Sequence, residues 1–280
     1  MEANCSKKIK VAGLQTVVTA DKDVNLENLR ELLNDPILEG IDIVCLPEMW
    51  NCPYDIKNFA TYAEADGGEL CQELSKLAKE HNIYLQAGTV PEVDEKGKIY
   101  NTAYMFDRAG QKIGKYRKMH LFDIFASGEI VFKESDVLTG GDHFELADTE
   151  WGPIAINICF DIRFPESSRI PALAGAKVII NPGAFNMTTG PVHWQLGFRQ
   201  RAIENQVFMI GTAPARDSGA GYKSWGHSIV TDPWGDILYE LDEKPGIGIA
   251  ELDLDYLDRV RQRMPLMSAR RTDVYEVKEK

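Results

Sequence analysis

Apolar and polar positions change period several times along the chain. Ile9 to Val17 is β-prone and predicts a first strand. Asp21 to Leu38 carries Leu26, Leu29 and Leu33 at helical spacing and predicts one amphipathic helix. Ile41 to Leu46 is a short, almost wholly apolar run, as expected of a strand covered on both faces. Glu69 to Glu80 predicts a helix and Tyr84 to Val90 a strand. Lys98 to Phe106 and Lys112 to Tyr116 predict a hairpin about Arg108-Ala109-Gly110. His120 to Gly141 shows no clear period and reads as a long functional loop.

Strand-rich segments dominate the second half. Phe144 to Leu146, Ile154 to Ile158, Val178 to Asn181, Val207 to Thr212, Ser228 to Thr231, Ile237 to Glu240 and Gly248 to Leu252 read as strands. Helices are expected over Glu166 to Ala174, Gln195 to Asn205 and Asp255 to Arg263, with a polar tail from about 264. No linker or internal repeat interrupts the pattern, so a single α/β domain over 1–280 is expected, with mixed sheets covered by helices. An α-β-β-α sandwich fits; periodicity alone does not separate it from a doubly wound sheet.

Composition narrows the function classes. The net charge of −12 argues against nucleic acid or an anionic membrane surface as main partner. No stretch is long and apolar enough to span a bilayer, and the polar start lacks a signal-peptide core, so a cytoplasmic location is expected. The cysteines, Cys5, Cys45, Cys52, Cys71 and Cys159, are odd in number and widely spread. Nothing in their spacing suggests zinc, and reduced thiols are expected.

The strongest chemical signal runs from Gly152 to Glu166. A buried-type strand leads into Cys159-Phe160-Asp161-Ile162-Arg163-Phe164-Pro165-Glu166 and then a helix. Such a junction projects a nucleophile and leaves backbone N–H groups near it to hold an oxyanion. Cys159 is open to two readings here, a nucleophile or one more buried, inert thiol. Cys45 and Cys71 read as structural, and Cys52 as structural or incidental. A thiol with an ordinary pKa near ~8.5 needs a base or a cation to react at neutral pH. None of the five histidines sits in a motif that marks it as that base.

Glu48, in Leu46-Pro47-Glu48-Met49-Trp50, follows an apolar strand as Cys159 does, at the sheet edge where α/β sites assemble. It is a candidate base or a satisfied strand-end carboxylate. Lys118, in Tyr116-Arg117-Lys118-Met119-His120-Leu121, is an oxyanion-stabilising ammonium or part of a solvated basic run. Glu134, in Phe132-Lys133-Glu134-Ser135, orients Lys118, carries a proton or is a surface charge.

Taken together, the Glu48, Lys118 and Cys159 segments resemble the nitrilase superfamily of carbon–nitrogen hydrolases, in order and separation, from Lys10 to about Tyr275. The resemblance implies Glu48 as base, Lys118 as oxyanion stabiliser and Cys159 as nucleophile. It adds Glu134 as a further catalytic glutamate, an α-β-β-α sandwich and a homodimer or larger homo-oligomer. No metal or organic cofactor is implied. Pro182 to Trp194, Ala213 to Asp217 and Trp225-Gly226-His227-Ser228 look like the ω-amidase branch, whose members deamidate 2-oxoglutaramate and 2-oxosuccinamate. Gln195 departs from the Glu of many relatives.

That likeness makes a small anionic amide the expected partner. Arg163 is the candidate to pair with its carboxylate, the alternative being a local anchor to Asp161 or Glu166. The Phe160 N–H is expected to help hold the oxyanion. Phe185 and Tyr54 either wall the pocket or belong to the core. N-carbamoyl amino acids, deaminated glutathione and a catalytically silent interaction protein remain the competing readings.

Overall fold

The computed structural model describes residues 7–126, 129–216 and 221–280. Cys5 and Asp217 lie outside these. The first half holds β1 (Lys8–Gln15), α1 (Lys22–Leu33), β2 (Ile43–Cys45), α2 (Ile56–Tyr62), β3 (Glu64–Ala65), α3 (Glu69–Glu80), β4 (Tyr84–Val93), β5 (Ile99–Phe106) and β6 (Lys112–Arg117). A hairpin of β7 (Asp123–Ala126) and β8 (Glu129–Lys133) follows. The second half holds β9 (Glu145–Thr149), β10 (Gly152–Ile156), α4 (Pro165–Leu173), β11 (Val178–Ile180), α5 (Gly190–Asn205) and β12 (Phe208–Gly211). It closes with β13 (Ile229–Thr231), β14 (Ile237–Glu240), β15 (Gly246–Asp253) and α6 (Leu254–Arg263).

Two mixed sheets form. The first has the order β15-β1-β2-β4-β5-β6, with β3 on β4, and the second β14-β13-β12-β11-β10-β9. Each has a parallel centre, β1-β2-β4 and β10-β11-β12, with antiparallel flanks. One apolar cluster joins Val11, Ile43, Met105 and Tyr116 of the first sheet to Ile154, Ile156, Val178 and Ile210 of the second. Gly114 on β6 sits directly against Ala147 and Ile156 on the facing sheet. The outer face of the first sheet packs Ala12, Val44 and Leu85 on Leu29, Leu33, Leu74 and Leu77 of α1 and α3. The outer face of the second carries Phe198 of α5 against Gly211. These layers are the expected α-β-β-α sandwich.

Several elements differ from the sequence pattern. The helix from Asp21 stops at Leu33, because Asn34 caps it and Pro36 forces Asp35 into extended backbone. Pro36–Leu38 is a separate 3-10 turn. Helix α5 starts at Gly190 rather than Gln195, with Pro191 in its first turn where no N–H is needed. The 120–141 segment is not one loop, since it holds the β7–β8 hairpin and a 3-10 turn, Glu134–Asp136. The tail past 264 is polar, but Met267 packs on the core and Glu279 accepts the Phe144 N–H at 3.0 Å. Among the described residues no helix is long and apolar enough to cross a membrane.

Candidate active site

The parallel centres of both sheets end at the same place. Glu48 follows β2, and Cys159 follows β10. Lys118 follows β6 and extends the hairpin ladder, its N–H donating to the Asn101 carbonyl at 2.9 Å. Asn101 and Lys118 are therefore cross-strand neighbours, and their side chains converge on Glu48.

The result is a buried polar cluster. Glu48, Lys118 and Glu134 have no exposed surface. Glu48 Oε1 accepts from Lys118 Nζ at 3.0 Å and Asn101 Nδ2 at 2.9 Å, while Oε2 accepts the Ala184 N–H at 2.7 Å. Lys118 Nζ also donates to Glu134 Oε1 at 2.9 Å. Glu134 Oε1 takes the Tyr54 hydroxyl at 2.6 Å, and Oε2 the Phe122 N–H at 2.7 Å. Both carboxylates are thus held by fixed donors, which offsets the cost of burying them. Burial alone favours a neutral amine at Lys118, but Glu134 and Glu48 outweigh it and keep the ammonium charged well beyond its ordinary range. Burial pushes the Glu134 carboxyl up, against the pull of Lys118.

Cys159 sits at φ +47, a left-handed conformation unfavourable for a residue with a Cβ. It opens a 3-10 turn, Cys159–Arg163, and its N–H donates to the Pro182 carbonyl at 2.8 Å. The elbow is therefore strand, 3-10 turn, helix. Burial and then the Glu48 charge push the thiol well above its ordinary value, while Lys118 and Arg163 act in the opposite direction. Cys45 and Cys52 are buried thiols pushed up by desolvation alone. The four described cysteines, Cys45, Cys52, Cys71 and Cys159, are unbridged.

A cavity of about 620 Å³ opens beside the cluster, with Glu48, Tyr54, Phe132, Ala184 and Tyr222 on its wall. Cys159, 3% exposed, does not itself form that wall. The Tyr54 and Tyr222 rings lie 4.6 Å apart, and burial pushes both hydroxyls well above their ordinary pKa. Tyr54 therefore lines the cavity and also bonds Glu134.

Arg163 has no carboxylate within ion-pair distance among the described residues, so the alternative of a local anchor to Asp161 or Glu166 is not what forms. Its guanidinium lies 4.0 Å over the Phe185 ring and 5.2 Å from that of Phe160. Among the described residues its one side-chain hydrogen-bond neighbour is His193 Nδ1, at 3.5 Å, and Nη1 is buried without a partner. Desolvation lowers its pKa. Phe185 is core, set edge-on to Trp194, and acts as the shelf beneath Arg163. Gln195 lies at the surface, bonded to Glu240 at 2.8 Å and away from the cavity.

The sequence pattern did not single out Asn101, Ala184, Tyr222 or Asp161 as site residues. Asn101 left a faint signal, as a polar residue inside an aromatic strand. The other contacts depend on segments far apart in the chain.

The family model described as carbon–nitrogen hydrolase matches residues 8–262. The chain belongs to the carbon–nitrogen hydrolase family. It is 44% identical over 271 residues to the omega-amidase of Bos taurus, covering 97% of this chain and 98% of that one. It is 41% identical over 276 residues to nitrilase homolog 2 of Dictyostelium discoideum, covering 98% and 84%. Among solved structures, a branch 10 member of the nitrilase superfamily from Saccharomyces cerevisiae is 40% identical with a TM-score of 0.88, covering 95% and 97%. The expectations of a nitrilase-type sandwich and of a cysteine-dependent amidase are borne out at this level. This carbon–nitrogen hydrolase places its charged cluster where the parallel strands of its two sheets end together.

Proposed function

We propose that this protein hydrolyses the terminal amide of a small anionic amide, such as 2-oxoglutaramate or 2-oxosuccinamate, and releases ammonia through a thioester on Cys159. The observation that carries the chemistry is the buried Glu48–Lys118–Glu134 cluster whose charges act on the Cys159 thiol. The omega-amidase relatives, the lack of a carboxylate on Arg163 among the described residues and its unpartnered Nη1 support the substrate class.

The resting thiol is neutral, so attack and deprotonation go together. Glu48 accepts the thiol proton as sulfur bonds to the amide carbon. Lys118 and the Phe160 N–H stabilise the oxyanion. Glu48 returns the proton to the amide nitrogen, and ammonia leaves as the thioester forms. Glu48 then deprotonates water, which attacks the thioester; the thiolate leaves and recovers its proton. Glu134 and Tyr54 hold Lys118 and Glu48 in place through these steps. A homodimer or larger assembly and a cytoplasmic location belong to the same reading, the former supported by Val192 and Leu196 standing exposed on α5. Light scattering of the purified chain and cell fractionation test them.

Ammonia release across keto-acid amides, glutamine, N-carbamoyl amino acids and neutral amides tests the substrate class. Arg163→Ala is expected to raise KM for the anionic amides about 100-fold, the scale of a buried charge-assisted pair, and to spare neutral ones. Equal losses on both would remove the carboxylate role. Preference for carbamoyl substrates would point to another branch.

A further inference from the structure

The chemistry proposed above leaves the buried carboxylate beside the nucleophile unused. Asp161, with no exposed surface, stands two residues past the nucleophile in its 3-10 turn. Its Oδ2 accepts the Ile158 N–H at 2.9 Å, on the residue before Cys159, and the Tyr116 hydroxyl at 2.8 Å. Its Oδ1 accepts the His120 N–H at 3.0 Å and faces His120 Nδ1 at 2.7 Å. The His120 ring is in turn stacked on Phe164 at 3.7 Å. Tyr116 and His120 are the residues two before and two after Lys118. One carboxylate therefore grips both sides of the lysine segment and the backbone on the near side of the cysteine.

We infer that Asp161 is a positioning residue that sets the distance between the Lys118 ammonium and the Cys159 sulfur. This rests on the roles given above to those two residues. Lys118 comes from the first sheet and Cys159 from the second, so no shared element fixes their separation. Apolar packing between sheets is tolerant at the scale of a few tenths of an ångström, whereas oxyanion stabilisation is not. Four directed bonds to one buried acceptor supply the missing precision. They also hold Cys159 in its left-handed conformation, since Ile158 and Asp161 bracket it.

Asp161→Asn puts an amide N–H₂ among donors and is expected to cut kcat about 100-fold with KM within about threefold. Tyr116→Phe, which removes one arm, is expected to cut kcat about tenfold with KM unchanged. Glu92→Gln is the control: a buried carboxylate held by Lys115, Arg117 and Thr102, with no bond to Glu48, Lys118, Glu134 or Asp161 among the described residues. Rates are compared at equal folded fraction, with Cys159→Ala measured alongside. A kcat loss in the Asp161 and Tyr116 variants but not in Glu92→Gln supports the inference. Wild-type kcat in both, or the same loss in the control, overturns it. Where Asp161→Asn does not fold, Tyr116→Phe alone decides. An inactive Cys159→Ala beside a fully active Asp161→Asn rejects only the positioning role; an active Cys159→Ala rejects the underlying reading as well.

Discussion

At the scale of single residues, the site is an exercise in keeping charge where water is absent. Lys118 remains an ammonium because two carboxylates touch it, and each carboxylate is tolerated because it also accepts fixed N–H or O–H donors. Cys159 is treated in the opposite way: burial and the nearby Glu48 hold its thiol neutral. The sign of this effect has a direct consequence. With its pKa raised well above the ordinary thiol value, the thiolate fraction at neutral pH is small and is still climbing with pH beyond that value. Iodoacetamide labelling of Cys159 in the free enzyme, followed by peptide mass spectrometry, is expected to keep accelerating to pH 9. A plateau below pH 8 would show a lowered pKa and a preformed thiolate, against the coupled attack proposed here.

At the scale of elements, the loops that carry the site are shaped by close backbone approach. Strand β4 passes beneath the Glu48 turn at Gly88, which has φ +58; a Cβ there would stand 2.1 Å from the Pro47 carbonyl oxygen and 2.8 Å from Trp50 Cδ1. Gly88→Ala is therefore expected to cost about 3 kcal/mol and to lower activity by displacing Glu48. Asp21→Ala, which removes the α1 cap, is expected to cost about 1 kcal/mol with activity unchanged. Denaturant unfolding with matched rate assays checks both; a neutral Gly88→Ala would contradict the packing argument.

The same scale explains what could be read from sequence. Helix α3 and the strands leading to Glu48 and Cys159 were legible because their periodicity matches their burial. Helix α2 was not, since its seven residues bury only Phe59. The β7–β8 hairpin stands outside both large sheets and carries no clean alternation. Glu48, Lys118, Glu134 and Cys159 could be named from motifs, but their bonding could not. The partners that hold them, Asn101, Ala184 and Asp161, arrive across sheets and through backbone groups that leave no trace in residue type.

At the scale of the whole molecule, the sandwich is what makes the chemistry possible. Glu48 and Lys118 hang from one sheet and Cys159 from the other, and the apolar layer containing Tyr116, Met105 and Ile156 brings the two sheets together. The net charge of −12 is spread elsewhere and does not prevent Arg163 from presenting a cation beside the thiol. The most direct measurement is to quench the enzyme with acid during turnover of 2-oxoglutaramate and map acyl adducts by mass spectrometry. One thioester is expected, on Cys159, absent from a folded but inactive Cys159→Ala variant. An adduct on another residue, or wild-type ammonia release from that variant, would contradict it.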